Sequence, residues 1–483
     1  MTKRFYVTTA IDYVNAAPHI GHAYQKIVAD ALARWHKLKG KKVFFLTGTD
    51  EHGQKIAKTA ENAGKAPKEY VDEIVPKFKE AWDLLDIKYN RFIRTTDKDH
   101  EEKVQKFIRL MNKAGDIYKG EYSGLYCEEC EAYVTERELV NGKCPFHPNK
   151  EIKELKEETY FFRLSKYKKK LLELYKKNKK YILPVFRRQE IINRVKEGLK
   201  DLNITRLKKN MSWGIPFPLD DKYVVYVWYE ALLNYITGIG WPDDKKFKKF
   251  WPADVEILGI DNGWFHCVVW PTMLFSVGIK PPTTILINGF LTFNNQKISK
   301  SLGNVISPKY LIDKYGADSI RYYVCRNFVF GEDGDFSEKV LVERHNNELA
   351  NKLGNLVSRT TALAEKVGLK KTENRLLKKL NLKRIENHIE NYEFDKALNE
   401  IFAFVDICNR YIQNKKPWET KDKKILYELL DSIKAIAILL WPFIPSTSER
   451  IAKNLGFEIK FENIKKLLSI KKIKKSEILF KKI

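Results

Sequence analysis

Two rhythms alternate over the first 115 residues. Phe5 to Thr9 is an apolar run of strand length, Gly21 to Leu38 follows a helical period, and Lys42 to Leu46 is a second buried run that ends at Thr47-Gly48-Thr49-Asp50. Short apolar runs separated by helix-length segments are how strands covered on both faces of a parallel sheet read. Helical patterns continue over Pro67 to Leu85 and His100 to Gly115, where Val104, Phe107, Ile108 and Met111 share a face. Between Tyr118 and about Asp221 the texture breaks into short segments and a lysine-rich stretch from Lys166 to Lys180. Strand-like chain resumes at Tyr223 to Trp228, Val255 to Gly259 and Thr284 to Ile287, so the intervening chain reads as an insertion in an α/β domain.

After about Glu338 the pattern is almost wholly helical. Leu349, Leu353, Leu356 and Val357 share a face, as do Leu398, Ile401, Phe402 and Val405, and Ile433 to Leu440 follow. The expected architecture is therefore α/β: a doubly wound, Rossmann-like catalytic domain bearing an insertion, followed by an all-α helical bundle. The expected boundaries are 1–117 and 222–290 for the two catalytic halves, 118–221 for the insertion, 291–337 for a linking region, 338–459 for the bundle and 460–483 for a basic tail.

A chain of 483 residues has room for about three folding units, and 44% hydrophobic residues exclude a mainly disordered one. No stretch of eighteen apolar residues occurs, and Met1 to Arg4 runs straight into a strand pattern rather than a leader; the expectation is a soluble, cytoplasmic protein. The net charge of +26 favours a polyanionic partner, although lysine on solvated helix faces explains it equally well.

Three constellations carry chemistry. In Pro18-His19-Ile20-Gly21-His22 the histidines stand where a strand gives way to a helix start. Their ring N–H groups suit phosphate oxygens, and a glycine admits a large ligand; both rings serve equally as helix caps or carboxylate partners. Lys297-Ile298-Ser299-Lys300-Ser301, among Asn294-Asn295-Gln296 and Leu302-Gly303-Asn304, is a polar loop whose lysines could close over a triphosphate, or an ordinary solvated basic loop. Cys127-x2-Cys130-x13-Cys144-x2-His147 has the spacing of a four-ligand structural zinc site with no vacant position, the alternative being incidental buried thiols.

The histidine and lysine motifs, roughly 275 residues apart, resemble the signature pair of class I aminoacyl-tRNA synthetases. The surrounding chain resembles the methionyl branch of that family at Phe5 to Thr9, Tyr13-Val14-Asn15, Phe45 to Gly53, Trp213-Gly214-Ile215-Pro216, Phe265 to Pro271, Asn409-Arg410-Tyr411 and Lys416-Pro417-Trp418. The resemblance implies a ligase that forms methionyl-adenylate from methionine and ATP, with Mg2+ accompanying the nucleotide, and then charges the 3′ end of methionine tRNA. It implies catalytic roles for His19, His22, Lys297 and Lys300, and ATP binding by these together with Gly21 and Ser299. Ile11, Tyr13, Asp50, Trp228, Asp261, His266 and Trp270 would bind methionine, Asp261 holding its ammonium group. Read without the resemblance, Asp261 is as readily a turn residue and any one of the aromatics a core residue. Homocysteine would be activated and cyclised near Asp50 and His52.

Asn355, Arg359 and Trp418 would read the anticodon, although a tryptophan after proline ordinarily packs in a core. Ile260, Asp12, Ala10, Asn203 and Ile298 depart from the residues usual in the family; Asp12 would add negative charge beside the ammonium site. The chain has no room for a further C-terminal dimerisation domain, so a monomer is expected, with a tail of net charge +7 compensating for lost tRNA affinity. The alternatives are a class I synthetase of other specificity, disfavoured by the lack of a large editing insertion, and a noncatalytic tRNA-binding protein derived from such an enzyme.

Overall fold

The computed structural model describes residues 3–483 except 131, 135, 137–138, 294–295, 298–305 and 471, and describes only the backbone of 122, 123, 132, 133, 155–157 and 297. Strands β1 (Arg4–Thr9), β2 (Asp12–Tyr13), β3 (Lys42–Asp50) and β4 (Arg91–Arg94) join Val255–Gly259, Ile285–Asn288 and Ile182–Leu183 in one sheet. Every pairing in it is parallel. β3 is longer than its apolar run: it pairs with β1 as far as Leu46, then with β2 through Thr49 and Asp50.

Helix α1 (Ile20–Leu38) returns the chain from β2 to β3. β1 has β3 on one side and Val255–Gly259 on the other, so the winding reverses beside it. Ligands of doubly wound sheets lie beyond the carboxyl ends of the strands at such a reversal, here residues 10–13 and 259–261.

The insertion is built on an antiparallel sheet in which Ile117–Cys127 pairs with Lys153–Phe162, flanked by Ala132–Val134 and Leu202–Asn203. The apolar run 223–228 does not join the main sheet. Tyr223–Val225 forms an antiparallel ribbon with Thr205–Leu207, and helix Val227–Ala231 takes Trp228. An apolar run of six residues fits a strand or a buried helix start equally, which is why its pattern misleads.

In the C-terminal bundle, helices Asn355–Val367, Phe394–Lys415 and Pro445–Leu455 pack on Lys423–Leu440, which is buried along most of its length. The basic tail is not a loose appendage. Leu468 N–H donates to Asp431, Ser476 N–H to Thr361, His345 to the Lys481 carbonyl, and Asn346 exchanges two hydrogen bonds with Ile483. Its backbone is thus strapped across the bundle, leaving its lysines rather than its main chain for solvent. Arg321, fully buried on helix Ala317–Asn327, joins bundle to sheet domain by donating to the carbonyls of Pro442, Phe443 and Leu85 and to Asp30 of α1. Among the described residues no helix is long and apolar enough to cross a membrane.

Candidate active site

His19 is the N-cap of α1 rather than its first turn, and His22 sits at N3. The His19 ring accepts at Nδ1 from the Gly21 N–H (3.1 Å), and the His22 ring accepts at Nδ1 from the His19 N–H (3.1 Å). The rings lie 3.9 Å apart between centroids. This reciprocal cap satisfies two orphan amides of the helix start, so the capping alternative holds, and it does more. With both Nδ1 atoms accepting, the proton of each neutral imidazole is on Nε2. A Cβ at Gly21 would stand 2.9 Å from the His19 ring, so glycine is what lets the ring fold back onto the helix. Desolvation first, and then the Lys26 charge, push His22 down to about 3, keeping it uncharged.

Lys297 ends a hairpin in which Gln296–Lys297 pairs with Leu291–Phe293. Ser299 and Lys300, with the rest of 298–305, lie outside the described residues. The chain re-emerges at Ile306, whose carbonyl accepts from the Ile20 N–H at 3.1 Å. Ile306, six residues past Lys300, is therefore fastened to the first turn of the histidine helix.

On the other side of β1, Asp261 follows the strand Val255–Gly259 and lies exposed. A Cβ at Gly259 would meet Asp261 Oδ1 at 2.7 Å and Gln25 Nε2 at 3.4 Å, which brings an α1 side chain to the same edge. Tyr13 stands beside Asp50 in the β2–β3 ladder, and Ile11 lies in the link between β1 and β2.

His266 belongs to a π-helical turn, Phe265–Val269, that leads into helix Trp270–Ser276. Such turns alter the angular spacing of side chains, so His266 and Trp270 are not simply one α-helical turn apart. His266 Nδ1–H donates to the Asn262 carbonyl (3.0 Å), and its Nε2 accepts from the Tyr235 hydroxyl (2.5 Å). Burial pushes its pKa down to about 4, so both nitrogens are committed and the ring is neutral. Trp270 is fully buried, packs 5.8 Å from Tyr235, and donates its indole N–H to Glu256. Trp228 packs against Phe265 at 4.9 Å.

Asp12 is not an added charge in the cleft. It is buried and paired with the fully buried Lys26 of α1 at 2.5 Å, and Lys26 also donates to the Ala10 carbonyl. His52 is bonded to the buried Glu230 (2.7 Å), whose other oxygen meets His100 (3.0 Å); the nearby carboxylates outweigh burial and raise His52. Sequence reasoning missed Lys26, Gln25, Tyr235, Glu230 and Glu256. For Lys26 there was a signal, a lysine inside the apolar run Ala23 to Leu32.

The ligand atoms of Cys127, Cys130, Cys144 and His147 lie within 4.8 Å of one another, with Cys130 Sγ 3.4 Å from Cys144 Sγ and 3.2 Å from His147 Nδ1. Three thiols and an imidazole gathered at that range fit a single tetrahedral metal ion. In the bundle, Arg359 donates to Gln413 (2.9 Å) and its guanidinium lies 5.5 Å from the Trp418 ring centre. Trp418 is 38% exposed, not a core residue, and Asn355 is exposed on the same helix as Arg359.

Comparison with known proteins accounts for most of the chain. The family model "tRNA synthetases class I (M)" matches residues 5–155 and 148–361, and "Anticodon-binding domain of tRNA ligase" matches 374–481. The methionine–tRNA ligase of Caldanaerobacter subterraneus is 44% identical over all of this chain and 79% of its own length, and that of Thermotoga maritima is 42% identical over 95% and 76%. The Mycobacterium tuberculosis methionyl-tRNA synthetase in complex with methionyl-adenylate superposes with a TM-score of 0.94 at 36% identity, covering 99% of this chain and all of that one. The chain belongs to the class I methionyl-tRNA synthetases, enzymes that activate methionine with ATP and transfer it to tRNA.

Proposed function

We propose the following division of labour within that reaction. His19 and His22 donate from Nε2–H to the ATP phosphates, with Gly21 admitting the nucleotide to the backbone. Lys297 and Lys300, with Ser299, close on the pyrophosphate side. Methionine lies beyond the ends of β1 and Val255–Gly259, its ammonium held by Asp261 with Asp50, its side chain against Ile11, Tyr13, Trp228, His266 and Trp270. Adenylation needs no protein nucleophile: the methionine carboxylate attacks the α-phosphorus, the bond to the bridging oxygen breaks, and pyrophosphate leaves with that electron pair. The enzyme aligns the two substrates and stabilises charge growing on the phosphoryl oxygens with imidazole N–H dipoles and the lysine charges. Mg2+ would accompany the ATP phosphates and neutralise part of their charge.

Since His266 is neutral with both nitrogens occupied within the protein, it shapes the pocket through the Tyr235 hydroxyl rather than by donating to the thioether. A polarizable sulfur among aromatic rings gains contact that a branched chain of similar size does not match. Cys127, Cys130, Cys144 and His147 would hold one structural Zn2+, stabilising an insertion knuckle with too little core of its own. The exposed amide of Asn355 and indole of Trp418, with the half-buried guanidinium of Arg359, make a set suited to reading and stacking anticodon bases. The domains would divide at 117, 221, 290, 337 and 459, and the protein would act as a cytoplasmic monomer.

The reading is supported above all by one observation: the Ile20 N–H, at the start of the helix that carries the capped histidines, donates to the carbonyl of Ile306, six residues after Lys300. Its test is Lys297→Ala and Lys300→Ala. Each should slow methionine-dependent pyrophosphate exchange at least tenfold more than it weakens methionine binding, because the lysines act on charge that develops only in the transition state. Equal losses in both would refute the assignment.

A further inference from the structure

Behind the wall formed by Trp270 lies a carboxyl group that the reaction does not use. Glu256 is the second residue of the strand Val255–Gly259, is 1% exposed, and pairs in the ladder with Thr8 of β1 and Ile285. Its Oε1 accepts the Trp270 indole N–H at 3.2 Å, and its Oε2 has no partner among the described residues. No lysine or arginine pairs with it among those residues. The groups that face it are weak acids from each element packed around it: Tyr6 of β1, Tyr235 of the short helix Asn234–Thr237, Tyr181 just before Ile182–Leu183, and Cys267 of the π-helical turn. A buried carboxylate with one neutral donor and no cation is far costlier than a buried carboxylic acid.

We propose that Glu256 is a positioning residue for the known reaction: a neutral carboxylic acid that holds Trp270 from behind, and whose ionisation loosens the methionine pocket. Two further contacts extend the same support. Trp270 packs against Tyr235, and Tyr235 is fastened to His266 by its hydroxyl while the Tyr6 hydroxyl donates to its carbonyl. Glu256, Trp270, Tyr235 and His266 therefore form one chain of contacts from the centre of the sheet to the pocket. Burial pushes the Glu256 carboxyl up to about 8, within the working range of an exchange assay. Methionine entering against Trp270 makes this wall drier, so binding favours the protonated form, and methionine affinity falls as pH rises through that value.

The inference rests on the reading that Trp270 lines the methionine pocket, and the test separates the two. Native protein, Glu256→Gln, Glu256→Leu and Trp270→Phe are compared by pyrophosphate exchange from pH 6.5 to 9.5, with KM measured for methionine and for ATP. The amino group of free methionine titrates equally in every assay, so the informative quantity is native KM for methionine divided by that of Glu256→Gln. That ratio should rise by as much as about 25-fold between pH 7.5 and 9.5, the limit set by one added ionisation near 8, while the ratio for ATP stays flat. Glu256→Leu should raise KM for methionine about tenfold at every pH with much less change in kcat, the mark of lost positioning. A flat ratio in protein whose methionine KM does respond to Trp270→Phe overturns the role of Glu256. A methionine KM that ignores Trp270→Phe overturns the pocket reading, and this inference with it. Glu256→Gln is nearly isosteric, so the decisive comparison does not depend on whether the leucine variant folds.

Discussion

Replacing Lys26 by Met should cost far more than the loss of one ion pair on a surface. The ammonium is fully buried, and it supplies both a 2.5 Å contact to Asp12 Oδ1 and a hydrogen bond to the Ala10 carbonyl. Asp12 is itself 5% exposed in its side chain, and its Oδ2 already has no partner among the described residues. Removing the cation leaves a buried carboxyl with neither oxygen satisfied, for which breaking a buried pair from one side costs about 3–5 kcal/mol. Burial raises Asp12 above the ordinary carboxylate range even with Lys26 present, so in the variant the group takes up a proton, and the loss falls toward the lower end of that span. Asp12→Asn should cost a similar amount, because it strands the lysine.

The double variant Asp12→Asn/Lys26→Met removes both charges and should recover most of the loss, costing clearly less than either single change. Urea denaturation followed by tryptophan fluorescence gives the three stabilities. Pyrophosphate exchange adds the functional readout, since Lys26 joins the helix of the histidines to the link that carries Ile11 and Tyr13; KM should rise for both substrates in Lys26→Met. If each single substitution costs under 1 kcal/mol and the two sum in the double variant, the pair is not the strut described.

Three further outcomes follow from other parts of the structure. Metal analysis of purified protein should find one zinc per chain, and Cys144→Ser should lose it and become sensitive to proteolysis between residues 117 and 162; metal-free protein with native protease resistance would refute the structural role. Burial lowers His22 and His36 to about 3 and His266 to about 4, so below pH 6.5 the unfolded chain takes up protons that the folded one does not, and stability is lost as pH falls from 6.5 toward 4. The three together should cost roughly 3–4 kcal/mol between pH 6 and 5, and His36→Gln should remove about a third of that slope in urea titrations; an unchanged slope would show that His36 is not held neutral. Arg321→Gln strips the buried links to Pro442, Phe443 and Leu85, at a cost of about 3–5 kcal/mol, and should split thermal unfolding into separate bundle and sheet-domain steps by calorimetry; one transition at the native midpoint would refute the linkage.

The α/β architecture was legible in the sequence because strands covered on both faces are mostly apolar, as the runs Phe5–Val7 and Val43–Leu46 and, Glu256 apart, Val255–Gly259 are. The bundle was legible because each helix carries one apolar stripe. What the pattern could not supply was the partner of a short run. Tyr223 to Trp228 has the composition of a central strand, but only three of its residues pair, and with Thr205–Leu207 rather than the sheet. Likewise Trp418 has the composition of a core residue, yet Lys416 and Lys421 adopt positive φ on either side of it and hold its short helix at the surface beside Arg359. The pairing of Asp12 with Lys26 was out of reach for a different reason: a charge reads as solvated until a second charge is placed against it, and the two are fourteen residues apart with a turn between them.

That last point governs the whole of α1. His22, Lys26, Asp30 and Arg34 recur every four residues and so share one side of the helix. By periodicity alone that stripe is the outer, wet face of an amphipathic helix. In the fold it is turned inward, and each member meets a different element: His22 completes the cap, Lys26 holds the Ala10–Asp12 link, Asp30 accepts from Arg321 and from the Lys88 N–H, and Arg34 reaches Asp86. A hydrophobic stripe would tolerate a small rotation or slide by repacking, whereas buried charges with separate partners do not, since each lost contact leaves an unsatisfied group in low dielectric. The stripe therefore fixes both the rotation and the height of the helix that presents the two imidazoles. It does so from the Ala10–Asp12 link, the capped helix start and the bundle at once, which is what alignment of two substrates without a covalent intermediate demands of the scaffold.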